Sequence, residues 1–267
     1  MKQKRYDKKL KTYQKFIKIF KKIGIKKGDI LYVASDLLKI LVSFRKEKKE
    51  LDLDIFINTL IKSVGSNGTI LIPTYNWDFC KKKSFDIKNT KSECGALSNH
   101  SIKRKDFKRT KHPIYSFAVW GKYKNLLVNL KNRSAWSANS PFDFLFKKKA
   151  KNLFIGIDYK EAFTMDHYFE QKVNVKYRYH KTFTSKYIDE KNSKKIKKYT
   201  MFVRKTNLCD TTKISNLLDV ELIKIKALKK IKLKNVLFSL IDLNLASKII
   251  IDDLKKEKSN FIYPIKN

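Results

Sequence analysis

The stretch KKGDILYVASDLLKIL, residues 26–41, decides the fold class. Lys26-Lys27-Gly28-Asp29 reads as a turn, and ILYVAS, an unbroken apolar run rich in branched and aromatic residues, reads as a buried strand. DLLKIL then turns helical, with Ser35 or Asp36 as a natural N-cap. LDLDIFINTLIKSV (51–64) has helical periodicity, GSNG closes it, and TILIPTY (69–75) is a second strand stopped at Pro73. Strand, helix, strand at this spacing predicts a crossover unit with a parallel pair, hence an α/β protein.

Further along the chain, YSFAVWG (115–121) and KNLFIGI (151–157) are the third and fourth strands. VKYRYHKTF (175–183) and YTMFVRK (199–205) alternate like an antiparallel pair across a basic turn. Residues 76–111 are polar and irregular, a long insertion of the kind that is usually functional. Residues 206–267 read as mainly helical, including LIDLNLASKIIIDDL (240–254). At the other end, residues 7–23 form a basic amphipathic helix with Tyr13, Phe16, Ile17, Phe20 and Ile23 on one side. Such a helix either packs on the domain with its lysines in water or lies on an anionic membrane surface. The expectation is one domain over 1–267, with a basic helix over 1–25, an insertion over 76–111 and a helical C-terminal part over 206–267.

Composition limits the function. With 42% hydrophobic residues, 18 Phe and 13 Tyr, the chain can build a sizeable core. The net charge is +37, and residues 1–28 and 172–205 together carry +21 of it. That field favours anionic partners such as nucleic acid, anionic lipid or phosphorylated substrates. Cys80, Cys94 and Cys209 are widely spaced, with no CxxC and no His/Cys cluster, so no metal site is expected. An odd cysteine count without an export signal, and without an apolar run long enough to cross a bilayer, reads as a cytoplasmic protein.

There is no G-x-S-x-G, no P-loop and no G-x-G-x-x-G. The candidate chemistry therefore lies in polar residues at the ends of the strands, where ligands gather in α/β sheets. Ser35 and Asp36 follow the first strand, and Thr74, Tyr75 and Asn76 the second. His112 and Ser116 flank the opening of the third, and Asp158, Thr164, Asp166, His167 and Glu170 follow the fourth. In FTMDHYFEQ (163–171), Thr164 or Asp166 could cap a helix with Glu170 assisting. His167 and Glu170 lie at i, i+3, on one face. A carboxylate there can hold the imidazole tautomer and raise its basicity. Spacing alone leaves a structural pair and a catalytic pair both open.

The order of these segments resembles the aminoglycoside 3-N-acetyltransferase family. KKGDILYVASDL is similar to its G-D-x-hydrophobic-V-H-S-S/D-L segment, with Ala34 where a histidine is usual, and GSNGTILIPTY is similar to G-x-x-G-T-L-hydrophobic-x-P-T-F/Y. SECGALSN, RTKHPIYSFAVWG, SANSPFDFL and YRYHKTF also find counterparts in order. LFIGIDYKEAFTMDHYFE resembles the family's segment ending in T-x-hydrophobic-H-x-x-E. The resemblance covers residues 26–183 and implies a three-layer α/β/α fold with a mixed central sheet. It also implies an N-acetyltransferase that uses acetyl-CoA as cosubstrate. Carried over by position, His167 is the general base, Glu170 its orienting partner, and Thr164 lies beside the reacting thioester. Ser35, Asp36, Thr74 and Tyr75 line the coenzyme A channel, and His112 and Ser116 support the same pocket.

Aminoglycosides are polycations, and a chain of +37 is a poor electrostatic match for them. The expected acceptor is therefore an amino sugar carried on a nucleotide diphosphate or lipid phosphate, for surface polysaccharide, with the basic helix near the inner membrane. The alternatives are an aminoglycoside acetyltransferase conferring antibiotic resistance and, from another class, a nucleic-acid-binding protein. Charge and the tyrosine- and lysine-rich KYRYHKTFTSKY argue for the last; the absence of any nucleic-acid motif argues against it.

Overall fold

The structure, a computed structural model, describes residues 2–208, 214–256 and 261–262, with the backbone alone for 2–12. The first half of the chain holds α1 (Lys2–Ile23), β1 (Ile30–Ser35), α2 (Leu38–Lys46), α3 (Leu53–Val64) and β2 (Thr69–Pro73). It continues through β3 (Phe85–Asp86), α4 (Ala96–Lys103), β4 (Lys108–Arg109), β5 (Phe117–Gly121) and α5 (Lys124–Val128). The second half holds α6 (Pro141–Lys147), β6 (Lys151–Ile155), α7 (Tyr159–Ala162), α8 (Met165–Val173), β7 (Arg178–Ile188) and β8 (Lys194–Arg204). Then come α9 (Asn216–Lys224), β9 (Leu228–Leu233), β10 (Val236–Asp242) and α10 (Leu243–Lys255).

A mixed sheet runs in the order β4-β5-β2-β1-β6-β10-β9. Its centre is parallel, β1 pairing with both β2 and β6, as the crossover reading expects. The flanking strands β5 and β10 are antiparallel to their inner neighbours. Alternation along β1 separates two cores. Leu31 and Val33 face the side covered by α1, α2 and α3, whereas Tyr32 and Ala34 face α6, α8 and α10. Both faces of the sheet are thus covered, which is why β1 reads as an unbroken apolar run. This is the three-layer α/β/α arrangement.

The helix α1 turns Tyr13, Phe16, Ile19, Phe20 and Ile23 into the core, while Ile17 is only half-buried and Lys18, Lys21 and Lys22 stay exposed. Five large apolar side chains at about 1.5–3 kcal/mol each hold the helix on the domain. That apolar face is consequently not available to a bilayer. Among the described residues no helix is long and apolar enough to cross a membrane.

Two expectations are corrected. Residues 76–111 are not merely irregular: they hold a 3-10 turn (Asp78–Lys81), β3, α4 and β4. Residues 206–267 are not mainly helical, because β9 and β10 form an antiparallel hairpin that completes the sheet edge. β9, LKKIKL, exposes lysines as an edge strand can, and this hid it from an apolar-run search. In LIDLNLASKII the strand ends at Asp242, whose carboxylate accepts from Asn244 N and Leu245 N to start α10. Cys209 and Lys213 lie outside the described residues.

Candidate active site

The chain leaves β6 at the carboxyl edge of the parallel strands, passes through the short α7 and then enters α8. Neither capping expectation holds. Thr164 occupies the N-cap position in helical geometry without a side-chain capping bond, and Asp166 instead accepts from the His167 backbone N–H at 2.6 Å. Glu170 is fully buried within the helix–ribbon junction, away from the helix start. At the carboxyl end of β1 the N-cap is Leu37, and Asp36 accepts from Leu38 N at 2.9 Å.

The antiparallel ribbon β7–β8 pairs its first residue, Arg178, with its last, Arg204. Two like charges opposed across a ladder repel; here both guanidinium groups are delivered to α8, where two carboxylates meet them. Arg178 Nη2 lies 2.5 Å from Glu170 Oε2, and Arg204 Nη2 lies 4.0 Å from Asp166 Oδ2. Arg178 Nη1 also donates to Phe202 O at 2.7 Å. His167 stands in this cluster. Its Nδ1 is 2.8 Å from Asp166 Oδ1, 3.1 Å from Arg178 Nη2 and 3.3 Å from Glu170 Oε2. Burial alone would push the Asp166 carboxyl up, but His167, Arg204 and Arg178 outweigh it and hold it below the usual range. Burial likewise opposes the charge on Arg178, and Glu170 and Asp166 reverse that effect and raise it.

Asp166, His167 and Glu170 sit close enough together to resemble a metal-ligand set. The guanidinium of Arg178, within hydrogen-bonding reach of both Glu170 and Nδ1, already occupies the cationic position, so these donors suit an internal ion cluster better than a metal.

Around His167 an aromatic wall closes the site. The Trp136 ring meets the imidazole edge-on at 4.9 Å, Trp136 packs on Tyr115 at 4.8 Å, and Tyr115 packs on Tyr75 at 4.7 Å. The Tyr75 hydroxyl bonds that of Tyr32 at 3.0 Å. Burial raises the Tyr32 hydroxyl pKa against the lowering effect of its hydrogen bonds with Thr164 and Tyr75. Tyr115 is pushed up to about 12, chiefly by burial. Burial raises the Tyr75 hydroxyl as well, so all three phenols are neutral. The wall is anchored by Ser134, whose Oγ meets Gln171 Oε1 on α8 at 3.1 Å, and by Thr200 N donating to Arg133 O.

Of the residues singled out by sequence, His167, Glu170, Thr164 and Tyr75 come together, Thr164 and Tyr75 through Tyr32. Ser35 and Asp36 lie at the adjacent strand end, where Asp36 N donates to Ile155 O of β6. Thr74 and Ser116 are fully buried and serve Arg109. Its Nε is 2.9 Å from Ser116 Oγ and 3.2 Å from Thr74 Oγ1, and Nη2 donates to Thr74 O. Desolvation lowers that arginine to about 10. His112 is buried against Tyr199, accepts from Tyr115 N on Nδ1, and is pushed down to about 3 by burial, so it is neutral. These three residues brace the loop that carries Tyr115. Sequence reasoning assigned no role to Arg178, although YRYHKTF contains it, nor to Trp136, Tyr32 or Tyr115. It placed Asp166 among the polar residues after the fourth strand and as a possible cap, with no role beside His167, at a position the resemblance gives as hydrophobic. The thiols offer no nucleophile among the described residues: burial pushes Cys80 up to about 11 and raises Cys94.

The family model for aminoglycoside 3-N-acetyltransferase matches residues 43–254. Among solved structures, a sisomicin-bound AAC-VIa is 17% identical at a TM-score of 0.76, covering 91% of this chain and 97% of that one. AAC-IIIb, in a binary complex with CoASH, is 15% identical at 0.73, covering 90% and 95%. The YokD protein from Bacillus subtilis is 20% identical at 0.71, covering 91% and 98%. A search of curated proteins found no match. At these identities the structural likeness carries the fold. With the family model spanning most of the chain, it follows that the chain belongs to the aminoglycoside 3-N-acetyltransferase family, a family of N-acetyltransferase enzymes.

Proposed function

We propose that the protein transfers an acetyl group from acetyl-CoA to an amino group of an aminoglycoside-type acceptor, with His167 as general base. The observation that carries this is the His167 cluster. One ring nitrogen is tied to buried charges, and the other is left to take a proton. Acetyl-CoA supplies the activated acyl group. The surface beside Ser35 suits such a ligand: α2 exposes Leu38 and Val42 toward solvent with Lys39 between them, offering apolar contact for an extended arm and a cation for a phosphate. Nε2 of His167 takes the proton from the acceptor nitrogen during attack, and the buried carboxylates stabilise the imidazolium that forms. Trp136 and Tyr115 exclude water from the ring. The Thr164 hydroxyl, at the start of the same helix and hydrogen-bonded with Tyr32, steadies the oxyanion in this reading. Direct transfer needs no covalent enzyme intermediate, in keeping with the raised thiols.

The family name supports an aminoglycoside acceptor over the polysaccharide precursor expected from charge, which draws no support from the comparisons. A phosphate-bearing amino sugar stays as a second reading because of one feature. The ribbon face that bears Arg178 and Arg204 continues outward through His180, Lys186, Lys194 and Lys198, all exposed, and neither strand contains an acid. Beside it lies a depression of about 460 Å³ lined by Lys131, Arg133, Lys197 and Lys198. A nucleic-acid role has only the net charge and the tyrosine- and lysine-rich stretch 176–187 in its favour.

Thiol release from acetyl-CoA, measured against gentamicin-type compounds and nucleotide-linked amino sugars, tests both readings. Turnover with the former alone supports the aminoglycoside acceptor, and turnover with the latter alone supports the second reading. His167→Ala is expected to lower kcat by about 10²–10⁴-fold; undiminished turnover in a folded variant would remove the base assignment.

A further inference from the structure

His167 presents Nδ1 to three charged neighbours at once, and one neutral tautomer cannot satisfy them all. Arg178 can only donate, and Asp166 and Glu170, when ionised, can only accept. Were Nδ1 the acceptor for Arg178 at 3.1 Å, the ring's single proton would sit on Nε2, which could then accept nothing from a substrate. The Nδ1 lone pair would also face two carboxylate oxygens at 2.8 and 3.3 Å. The other assignment satisfies both carboxylates and leaves only the 3.1 Å approach of Arg178 Nη2 to Nδ1 as a non-bonded contact. The Nδ1 proton goes to Asp166 Oδ1, the nearest oxygen, and the Arg178 Nη2 proton goes to Glu170 Oε2 at 2.5 Å. Asp166 is further constrained because the same oxygen accepts from the backbone N–H of His167 at 2.6 Å. That oxygen is clasped by the backbone and the ring of a single residue, which restricts rotation of the imidazole.

We infer that Asp166, rather than Glu170, is the positioning carboxylate that holds His167 in the Nδ1–H tautomer, and that Glu170 serves to seat and neutralise Arg178. The inference rests on His167 being the base of the proposed transfer. In that transfer the Nε2 lone pair accepts the acceptor nitrogen's proton, and the resulting imidazolium keeps its Nδ1–H toward Asp166. The charged groups facing the ring are Asp166 and Glu170 from α8, Arg178 from β7 and, through Asp166, Arg204 from β8; the neutral Tyr115 hydroxyl is near the same cluster.

The test is nitrogen NMR of histidine-labelled protein, with kinetics beside it. In the wild-type enzyme, neutral His167 is expected as the Nδ1–H tautomer; an Nε2–H signal overturns the inference without any variant. Asp166→Asn presents an amide that can donate to Nδ1. It is expected to shift the ring toward Nε2–H and lower kcat about 10²–10⁴-fold while KM for acetyl-CoA moves less than about twofold. Glu170→Gln is expected to keep the tautomer, lose less than about tenfold in kcat, and melt at lower temperature. The reverse pattern, with Glu170→Gln switching the tautomer and Asp166→Asn leaving it, assigns the role to Glu170. His167→Ala separates the two claims. Full activity there would sink the base reading, whereas the NMR result concerns positioning alone.

Discussion

Replacing Arg178 with methionine keeps an unbranched apolar stem and removes the one cation in hydrogen-bonding contact with Glu170 among the described residues. Arg178 and Glu170 are 5% and 0% exposed and 2.5 Å apart, so water cannot take the place of the lost partner. Breaking a buried pair from one side costs about 3–5 kcal/mol, because the other charge stays behind uncompensated. The lost bond to Phe202 O belongs to the same removal, so about 4 kcal/mol in all is expected. For a chain of this size that corresponds to a fall in Tm of about 8–16 °C. Urea unfolding followed by tryptophan fluorescence is a suitable assay, since Trp136 is buried against His167 and reports on this junction. Removing both charges in Arg178→Met/Glu170→Gln is expected to recover about half of the loss, as the stranded carboxylate is then gone. A single-variant loss under about 1 kcal/mol, or a double variant no more stable than the single, would refute the view of these residues as one ion cluster.

Three further outcomes follow from the same geometry. Gly156 has φ +74 and a Cβ there would meet Asp36 O at 2.1 Å, so Gly156→Ala is expected to destabilise by about 2–4 kcal/mol in thermal melts and to spread the β1 and β6 strand ends. Ser116→Ala strips a buried hydroxyl from Arg109 Nε and is expected to cost about 1–3 kcal/mol in urea unfolding, with little change in KM for acetyl-CoA. The His112 pKa falls from its ordinary 6.5 to about 3, so the unfolded chain binds the proton first. Wild-type stability is therefore expected to be full above about 6.5 and to decline as pH falls toward about 3, and His112→Gln, which keeps an acceptor for Tyr115 N, is expected to flatten that decline.

The central crossover was legible because its signals are local. The β1 run is apolar on both faces, the 51–64 helix is periodic, and Pro73 marks the strand end, so residues 26–75 declare a parallel pair without reference to the rest. His167 and Glu170 were legible as a pair because i, i+3 puts them on one helix face. The hairpin β9–β10 was not, since an edge strand needs little apolar character and its lysines mimic a solvated helix. What only the tertiary structure decided is which groups surround the imidazole. Adjacent helix residues normally point apart, yet at the first turn of α8 Asp166 folds back to its neighbour's backbone and ring. Arg178 and Arg204 are 26 residues apart in the chain and reach Glu170 and Asp166 only because the β7–β8 register brings both to the root of one ribbon. Local sequence determines strands, helices and the faces they present. The charge balance at a base depends on long-range pairing, and no spacing rule along the chain encodes it.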